Sequence, residues 1–557
     1  MQMIHPFLLR KTVEKLRILL GSQIFDEVSL QKTHARLLKE GFYLQLRKSF
    51  DSIYSETRQF IEGKGAEAIL PGLTIGDINL GFTQKTVLRT TDSLTFNKSV
   101  AHAKLNETSI WFPIKRSWQI RLEESDLEFN RLACLILYFT YEYLSVLKSL
   151  FTMIQQQRSI VKKISFNERI PITERLSGNQ IFLFGLNHTN FPSLNQESNT
   201  LYEWIQNYFG SDFLYTTDLS SSNYTAPPNC EIQLQNTLIS RISYLDYMRS
   251  LTCLIRMIAI NVFKRRVPFF ELLSQVDEIL IGIQYKIGIR NSKYKYVVFP
   301  STVLIAKPLW ANILEYLKTT VILLNYTALA EPLSPKETRV INGIWHLSNW
   351  KDMYVVDSAQ TSQMKSMSLY SSKNFEEVGV PYWSGKKLQL KREKGINYVA
   401  AFDTHIRSNR VFSAGVLDEM GWNNLELERL FIEIILEAAI EFDLVVLHKK
   451  KRSVAEVDKV HQENLHDSLQ RKFGNSYRSM SENYSPESII SISSACVSKP
   501  ISTTALIAAE MGIPSIILDP TGNLQPNDPG LRMCNLVYSR VQLCEVFTSE
   551  FRKKIAT

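Results

Sequence analysis

A chain of 557 residues exceeds one ordinary core and calls for two large domains. Hydrophobic residues at 45% and charged residues at 21% exclude wholesale disorder. The formal charge of +9 suits a phosphate-bearing ligand, an anionic membrane or nucleic acid, and selects none of them.

Leucines and isoleucines recur at helical spacing through residues 1–70, which predicts an N-terminal helical segment. Met1 to Gly21 mixes Arg10, Lys11, Glu14, Lys15 and Arg17 into its apolar residues, so no signal peptide is expected there. From about Leu70, Gly72, Gly76 and Gly81 punctuate shorter apolar runs. Strand-like runs then follow at 110–112, 181–184, 296–299 and 321–324, with helical stretches between most of them. Strands alternating with helices predict a parallel sheet covered on both faces, assigned to residues 71–335.

Two helical stretches in this region bear on membranes. Leu132 to Ile154 is apolar enough to invite a bilayer span, but it contains Glu142 and Lys148; a buried or half-buried helix is expected. Tyr247 to Phe270 mixes Leu254, Ile255, Ile258 and Val262 with Arg249, Arg256, Lys264, Arg265 and Arg266. A packed helix with a solvated basic end is the simpler reading, and docking on an anionic membrane is the functional one.

Residues 336–394 lose periodicity and carry a Ser-rich run, with Trp345, Trp350, Tyr354, Tyr382 and Trp383 scattered through them. So many aromatics predict a packed connector. A β-α-β-α-β rhythm follows in 395–557, built on the strands 398–402 and 444–447, a helix from about Asn424 with Leu427, Leu430, Phe431 and Ile434 on one face, a strand at 489–492, a helix at 503–511 and a strand at 514–518. That rhythm predicts a doubly wound sheet with its ligand crevice at the carboxyl ends of the strands.

Asp403, His448 and the turn Ser493 to Thr504 fall at those ends. Hydroxyls beside a helix start cap its free N–H groups and also hydrogen-bond phosphate. An ordinary Ser/Thr cap is the plain reading; His448 and Lys449 at a neighbouring strand tip favour a phosphate site shared with Ser498, Ser502, Thr503 and Thr504. For proton transfer the candidates are Asp403, His188 after the strand at 181–184, and Glu331 after the strand at 321–324. Against these stand a helix cap for Asp403 and a satisfied structural histidine for His188. No Asp-x-Asp, H-E-x-x-H, G-x-x-x-x-G-K or G-x-G-x-x-G occurs, so neither a metal nor a cofactor is expected. The six cysteines are scattered without a C-x-x-C pair, which suits a reducing cytosol.

The segment "SKPISTTALIAAEMGIPSIILDP" (498–520) resembles the nucleotide-sugar-binding segment of GT-B-type glycosyltransferases of bacterial surface polysaccharide assembly. More narrowly it resembles the group named for a Pro-Phe-Thr-Ser motif, together with "VVFPSTVLIAKPLW" (297–310), "VILLNYTALAEP" (321–332) and "YVAAFDTH" (398–405). Pro500-Ile501-Ser502-Thr503 stands where the name motif has Pro-Phe-Thr-Ser. The resemblance implies two Rossmann-like α/β domains facing across a cleft, a nucleotide-sugar donor on the C-terminal one and a glycan acceptor on the N-terminal one. It also implies a cytoplasmic enzyme, peripheral at the inner face of the membrane. His448 followed later by Ser502 to Thr504 matches, in order, enzymes that use CMP-activated acidic sugars, although Lys449 stands where a proline usually follows the histidine. A sugar-nucleotide epimerase of the same fold and a non-catalytic scaffold are the competing functions. No nucleic-acid reader motif accompanies the small basic charge.

Overall fold

The computed structural model describes residues 53–86, 114–123, 128–165, 181–184, 201–210, 214–216, 230–232, 244–264, 268–288, 295–300, 307–325, 347–367, 374–379, 390–403, 425–449, 456–481, 484–500, 502–522 and 524–556. Two parallel sheets organise them. A small hairpin, β1 (Ala68–Leu70) and β2 (Leu73–Thr74), precedes both. Gly72 makes its turn at φ 82°, a conformation that glycine adopts without strain. The expectation for residues 1–52 lies outside the described residues.

The first sheet comprises β3 (Ile181–Leu183), β4 (Leu214–Thr216), β5 (Cys230–Ile232), β6 (Tyr296–Pro300), β7 (Thr320–Leu324), β8 (Asp352–Val355) and β9 (Asn374–Glu377). Every pairing is parallel, in the order β5-β4-β3-β6-β7-β8-β9. Its central strands β3, β6 and β7 are near-continuous apolar runs, as strands covered on both faces require. One face packs Phe182, Val297, Phe299, Val321 and Leu323 against Trp310 and Trp350. The other packs Ile181, Leu183, Val298 and Ile322 against Leu201 and Ile205. The run expected as a strand at 110–112 lies outside the described residues.

β8 and β9 fall in the stretch 336–394, which the sequence marked as a connector. They are instead the far edge of the first sheet, and Trp350 is one of its core side chains. Of the aromatics expected to pack a connector, Trp350 and Tyr354 pack this sheet, and Trp345, Tyr382 and Trp383 lie outside the described residues; β8, at four residues, is too short for its alternation to stand out in the sequence.

A helical layer flanks this sheet: α1 (Arg116–Glu123), α2 (Arg131–Ser165), α3 (Leu201–Phe209), α4 (Tyr244–Phe263), α5 (Phe269–Leu273), α6 (Val276–Gly288) and α7 (Leu309–Tyr316). Leu254 and Met257 of α4, Leu272 of α5, Ile279, Leu280 and Ile283 of α6, and Leu309 and Ile313 of α7 share one core with Leu73, Ile75 and Ile78. Gly282 lets α6 approach α7 closely: a Cβ there would lie 3.3 Å from the Cα of Trp310.

The second sheet comprises β10 (Asn397–Phe402), β11 (Leu444–Lys449), β12 (Tyr477–Met480), β13 (Ala495–Ser498), β14 (Ser515–Leu518) and β15 (Asn535–Val537). All pairings are parallel, in the order β12-β11-β10-β13-β14-β15. Counted from β10 this is the doubly wound order 3-2-1-4-5-6, which reverses between β10 and β13. The expected strand at 489–492 is a helix. Ser485 caps it by accepting the Ser488 N–H at 3.2 Å, Pro486 opens it, and β13 follows at Ala495.

α8 (Ser358–Met367) crosses over from β8 to β9, and α9 (Leu425–Glu441), α10 (Glu456–Phe473), α11 (Pro486–Ile492), α12 (Thr503–Glu510) and α13 (Arg540–Ala556) cover the second sheet. Val399, Ala401, Val446 and Val497 face Phe431, Ile432 and Ile435 of α9. Tyr398, Ala400, Phe402 and Cys496 face Ile489 of α11 and Ile507 of α12. The buried stripe of α9 is offset from the one expected, because Leu430 is 42% exposed while Ile432 and Ile435 are buried. Between the sheets, Arg532 grips Asp357 beside α8 with Nη2 at 2.9 Å from Oδ1, and Val356 packs on Leu506 and Leu531.

Candidate functional site at the switch point of the second sheet

Parallel register brings the carboxyl ends of β10, β11 and β13 level. Phe402 pairs with Lys449 on one side and Ser498 on the other, and the Lys499 N–H donates to the Phe402 carbonyl at 3.0 Å. Side chains alternate along a strand, so Asp403, His448 and Lys499 continue the rows of Ala401, Val446 and Val497 that face α9. In that position α9 presents Glu428, in its first turn. A carboxylate there is favoured by the helix dipole.

These four side chains form a buried charged cluster. Asp403 is 5% exposed, Lys499 1%, and His448 and Glu428 are fully buried. Lys499 Nζ pairs with Glu428 Oε2, and His448 Nε2 lies 3.3 Å from Asp403 Oδ2. Nδ1 of His448 lies 3.0 Å from the Tyr477 hydroxyl, which also meets Nδ1 of His466. One tautomer arrangement satisfies this row: His466 Nδ1–H donates to Tyr477, whose O–H donates to His448 Nδ1, leaving His448 Nε2–H toward Asp403. Burial pushes the Glu428 carboxyl above its usual range, opposed by Lys499 and reinforced by Asp403. Burial likewise raises the Tyr477 phenol, which keeps it a neutral donor.

Ligand atoms of Asp403, Glu428 and His448 lie within 4.8 Å of one another, near enough to share a cation. Lys499 already places an ammonium on Glu428, which supplies a positive charge to that corner.

On the opposite face of the sheet the turn from β13 to α12 carries hydroxyls. Ser498 Oγ lies 2.8 Å from Thr504 Oγ1, and Ser502 Oγ lies 2.6 Å from the same atom. Ser502 holds the N-cap position with φ −100° and ψ 122°, yet its side chain makes no capping hydrogen bond. That side chain thus caps neither the Thr503 nor the Thr504 N–H, while the Ala505 N–H donates to the Ser502 carbonyl at 3.4 Å. Ser502, Thr503 and Thr504 are half-buried, and Ser498 is fully buried beneath them.

The residues singled out in the sequence therefore divide. Asp403, His448, Lys449, Ser498, Ser502, Thr503 and Thr504 converge on the switch point. His448 does so as a fully buried ring whose Nδ1 meets the Tyr477 hydroxyl and whose Nε2 lies 3.3 Å from Asp403 Oδ2. Lys449 is buried too, at 7% exposure, and is not a solvated lysine at a strand tip. His188 and Glu331 lie outside the described residues. Sequence reading passed over Glu428, His466, Tyr477 and Lys499. Glu428 hid among the polar positions of an amphipathic helix; Lys499, beside Ser498 in the turn, was the one with a visible signal.

A doubly wound sheet thus carries a buried charge cluster on one face of its switch point and a hydroxyl-lined helix start on the other. Residues 273–547 match the family model described as "Polysaccharide biosynthesis PFTS motif protein". That match spans just under half of the chain and takes in the segments 297–310, 321–332, 398–405 and 498–520 on which the resemblance rests. No curated protein matches the chain. Among solved structures, sucrose-phosphate synthase from Thermosynechococcus elongatus is 11% identical, covering 67% of this chain and 90% of that one at a TM-score of 0.38. The wall teichoic acid polymerase TagF is 10% identical, covering 74% and 90% at 0.35. ADP-heptose lipopolysaccharide heptosyltransferase II of E. coli is 11% identical, covering 67% and 99% at 0.30.

Proposed function

We propose that the chain is a metal-independent glycosyltransferase that moves a sugar from a nucleotide-activated donor to a growing surface polysaccharide. The donor phosphate sits at the start of α12. One observation carries this reading: Ser502 occupies the N-cap position without a side-chain cap, which leaves the Thr503 and Thr504 N–H groups for an anion, beside the linked hydroxyls of Ser498, Ser502 and Thr504. Oriented N–H donors favour the charge that develops on a departing phosphate, which is the chemistry a nucleotide donor needs.

The buried cluster orders this corner. His448 fixes the carboxylate of Asp403 at the end of β10, where it binds the donor or accepts the acceptor proton. Lys499 supplies the cationic charge for which other sites use a metal. No cofactor enters the reaction. The order of His448 and Ser502 to Thr504 favours a CMP-linked donor among nucleotides, and the acceptor is a glycan approached from the first sheet's side.

Thr504→Val removes the hydroxyl that links Ser498 and Ser502, at a stability cost of about 1 kcal/mol. It is expected to weaken nucleotide binding at least tenfold by calorimetry, with binding to the wild type unchanged by a chelator. Unchanged affinity in the variant sinks the phosphate assignment. Affinity lost on chelation would mean that Asp403, Glu428 and His448 hold a cation.

A further inference from the structure

Independently of what the second sheet binds, the helical layer of the first domain leaves a long apolar face open. Buried positions Cys134, Glu142, Val146, Ser149 and Gln157 turn one side of α2 to the protein. Ser149 donates to Asp277 at 2.6 Å, and Gln284 donates to Gln157 at 2.9 Å, so both contacts bind α2 to α6. The remaining side exposes Leu132 at 69%, Ile136 at 56%, Phe139 at 50%, Tyr143 at 59% and Phe151 at 49%. Arg131 to Gln155 is long and apolar enough to cross a membrane, and with 22% of its most apolar window buried it is mostly exposed. With Glu142 sealed at 1% exposure and its whole inner face attached to a protein core, α2 lies along the domain and does not thread a bilayer.

The apolar face continues onto neighbouring elements. Phe139 meets Phe270 at 6.2 Å between ring centroids, and Phe270 meets the half-exposed Phe269 at 5.8 Å. Near them in sequence, α4 ends on Phe263, exposed at 88%, after Leu245 and Ile255, each exposed at 67%. Among the described residues the exposed charge on these helices is basic, and Glu271 of α5 is buried. Arg131, Lys148, Arg158, Arg249, Arg256 and Lys264 are exposed. The sole carboxylate of α2 is the buried Glu142, and that of α4 is Asp246, paired with Arg249 at 3.1 Å.

We propose that α2, α4 and α5 dock the first domain on an anionic lipid bilayer, lying in the interface with their aromatic and aliphatic side chains below the headgroups. Charge complementarity selects this occupant. A second copy of the same face would set six basic residues against six. Nucleic acid would match the charge but not the exposed Leu132, Leu245, Ile255 and Phe263.

The test is flotation of the full chain with vesicles of phosphatidylcholine alone or mixed with phosphatidylglycerol, at low and high salt. Binding is expected to the mixed vesicles, weaker in high salt, and to fall about fivefold for each basic residue removed in Lys148→Gln and Arg256→Gln. Ile255→Ser with Phe263→Ser should weaken it further. Ile440→Ser, at an exposed apolar position on the second domain, should leave it unchanged. All these side chains are exposed, and matching melting temperatures check that the variants fold. Absence of binding to mixed vesicles, equal binding to both kinds, or indifference to the substitutions overturns the proposal. So does a dimer in light scattering that Ile255→Ser and Phe263→Ser dissolve, because the face would then belong to a second copy.

Discussion

Lys499 is the residue on which the buried cluster balances. Its ammonium is the only lysine charge beside Glu428 among the described residues, and it holds down a carboxyl that burial pushes up. Lys499→Met leaves that carboxyl buried without its partner, a change expected to cost about 3–5 kcal/mol. The loss has a pH signature. Removing Lys499 raises the folded-state value of Glu428 further above the unfolded 4.5. A raised carboxyl stabilises the fold below the unfolded value and loses that contribution as pH rises through the folded one. The melting deficit of Lys499→Met should therefore grow from pH 5 to pH 8. A deficit independent of pH would show that lost packing on Phe431, and not charge, dominates. Half of the cluster was legible at this scale: Asp403 and His448 end apolar strands, where a doubly wound sheet puts its ligands. Glu428, Tyr477 and His466 were not, since a polar residue turned inward is set by tertiary packing and leaves no mark on local pattern.

Among elements, the second sheet shows which signals carry through. β10, β11 and β14 are unbroken apolar runs and were read nearly to their ends. β13 escaped because Ala495, Cys496 and Ser498 are small and half polar, while the neighbouring Ile489, Ile490 and Ile492 imitate a strand. A short apolar run is ambiguous by period alone. The discriminating mark was Ser485-Pro486-Glu487, a cap, a first-turn proline and an acidic first turn. The first domain offers a test of element packing at Gly282, where α6 and α7 come close. Gly282→Val must displace Ile313 and press on the Trp310 backbone. It is expected to cost about 2–3 kcal/mol, read as a lower denaturation midpoint. A midpoint unchanged from wild type would mean that the two helices do not meet as described.

At the scale of the whole molecule, two parallel sheets, each flanked by helices as expected, are joined by Arg532 and Asp357 and by the apolar contact of Val356 with Leu506. The division between them was misplaced, since β8 and β9 complete the first sheet and carry it to Glu377. Edge strands are short and half exposed, so their period is faint, while the Pro- and Ser-rich composition around them imitates a linker. On the two proposals, the first domain meets the bilayer through the basic, apolar flank of α2, α4 and α5, and the second holds the donor at the start of α12.

The central claim is that the switch point of the second sheet binds an activated nucleotide. Thermal unfolding of the purified chain with CMP, UMP, UDP, GDP, TDP or ADP tests it most directly. A ligand at ~100 times its dissociation constant adds about 2.7 kcal/mol of stability, enough to raise the melting temperature by several degrees. The account predicts a clear shift with one nucleotide, CMP foremost, that Thr504→Val abolishes. A well-folded chain whose melting temperature responds to none of the six would contradict it.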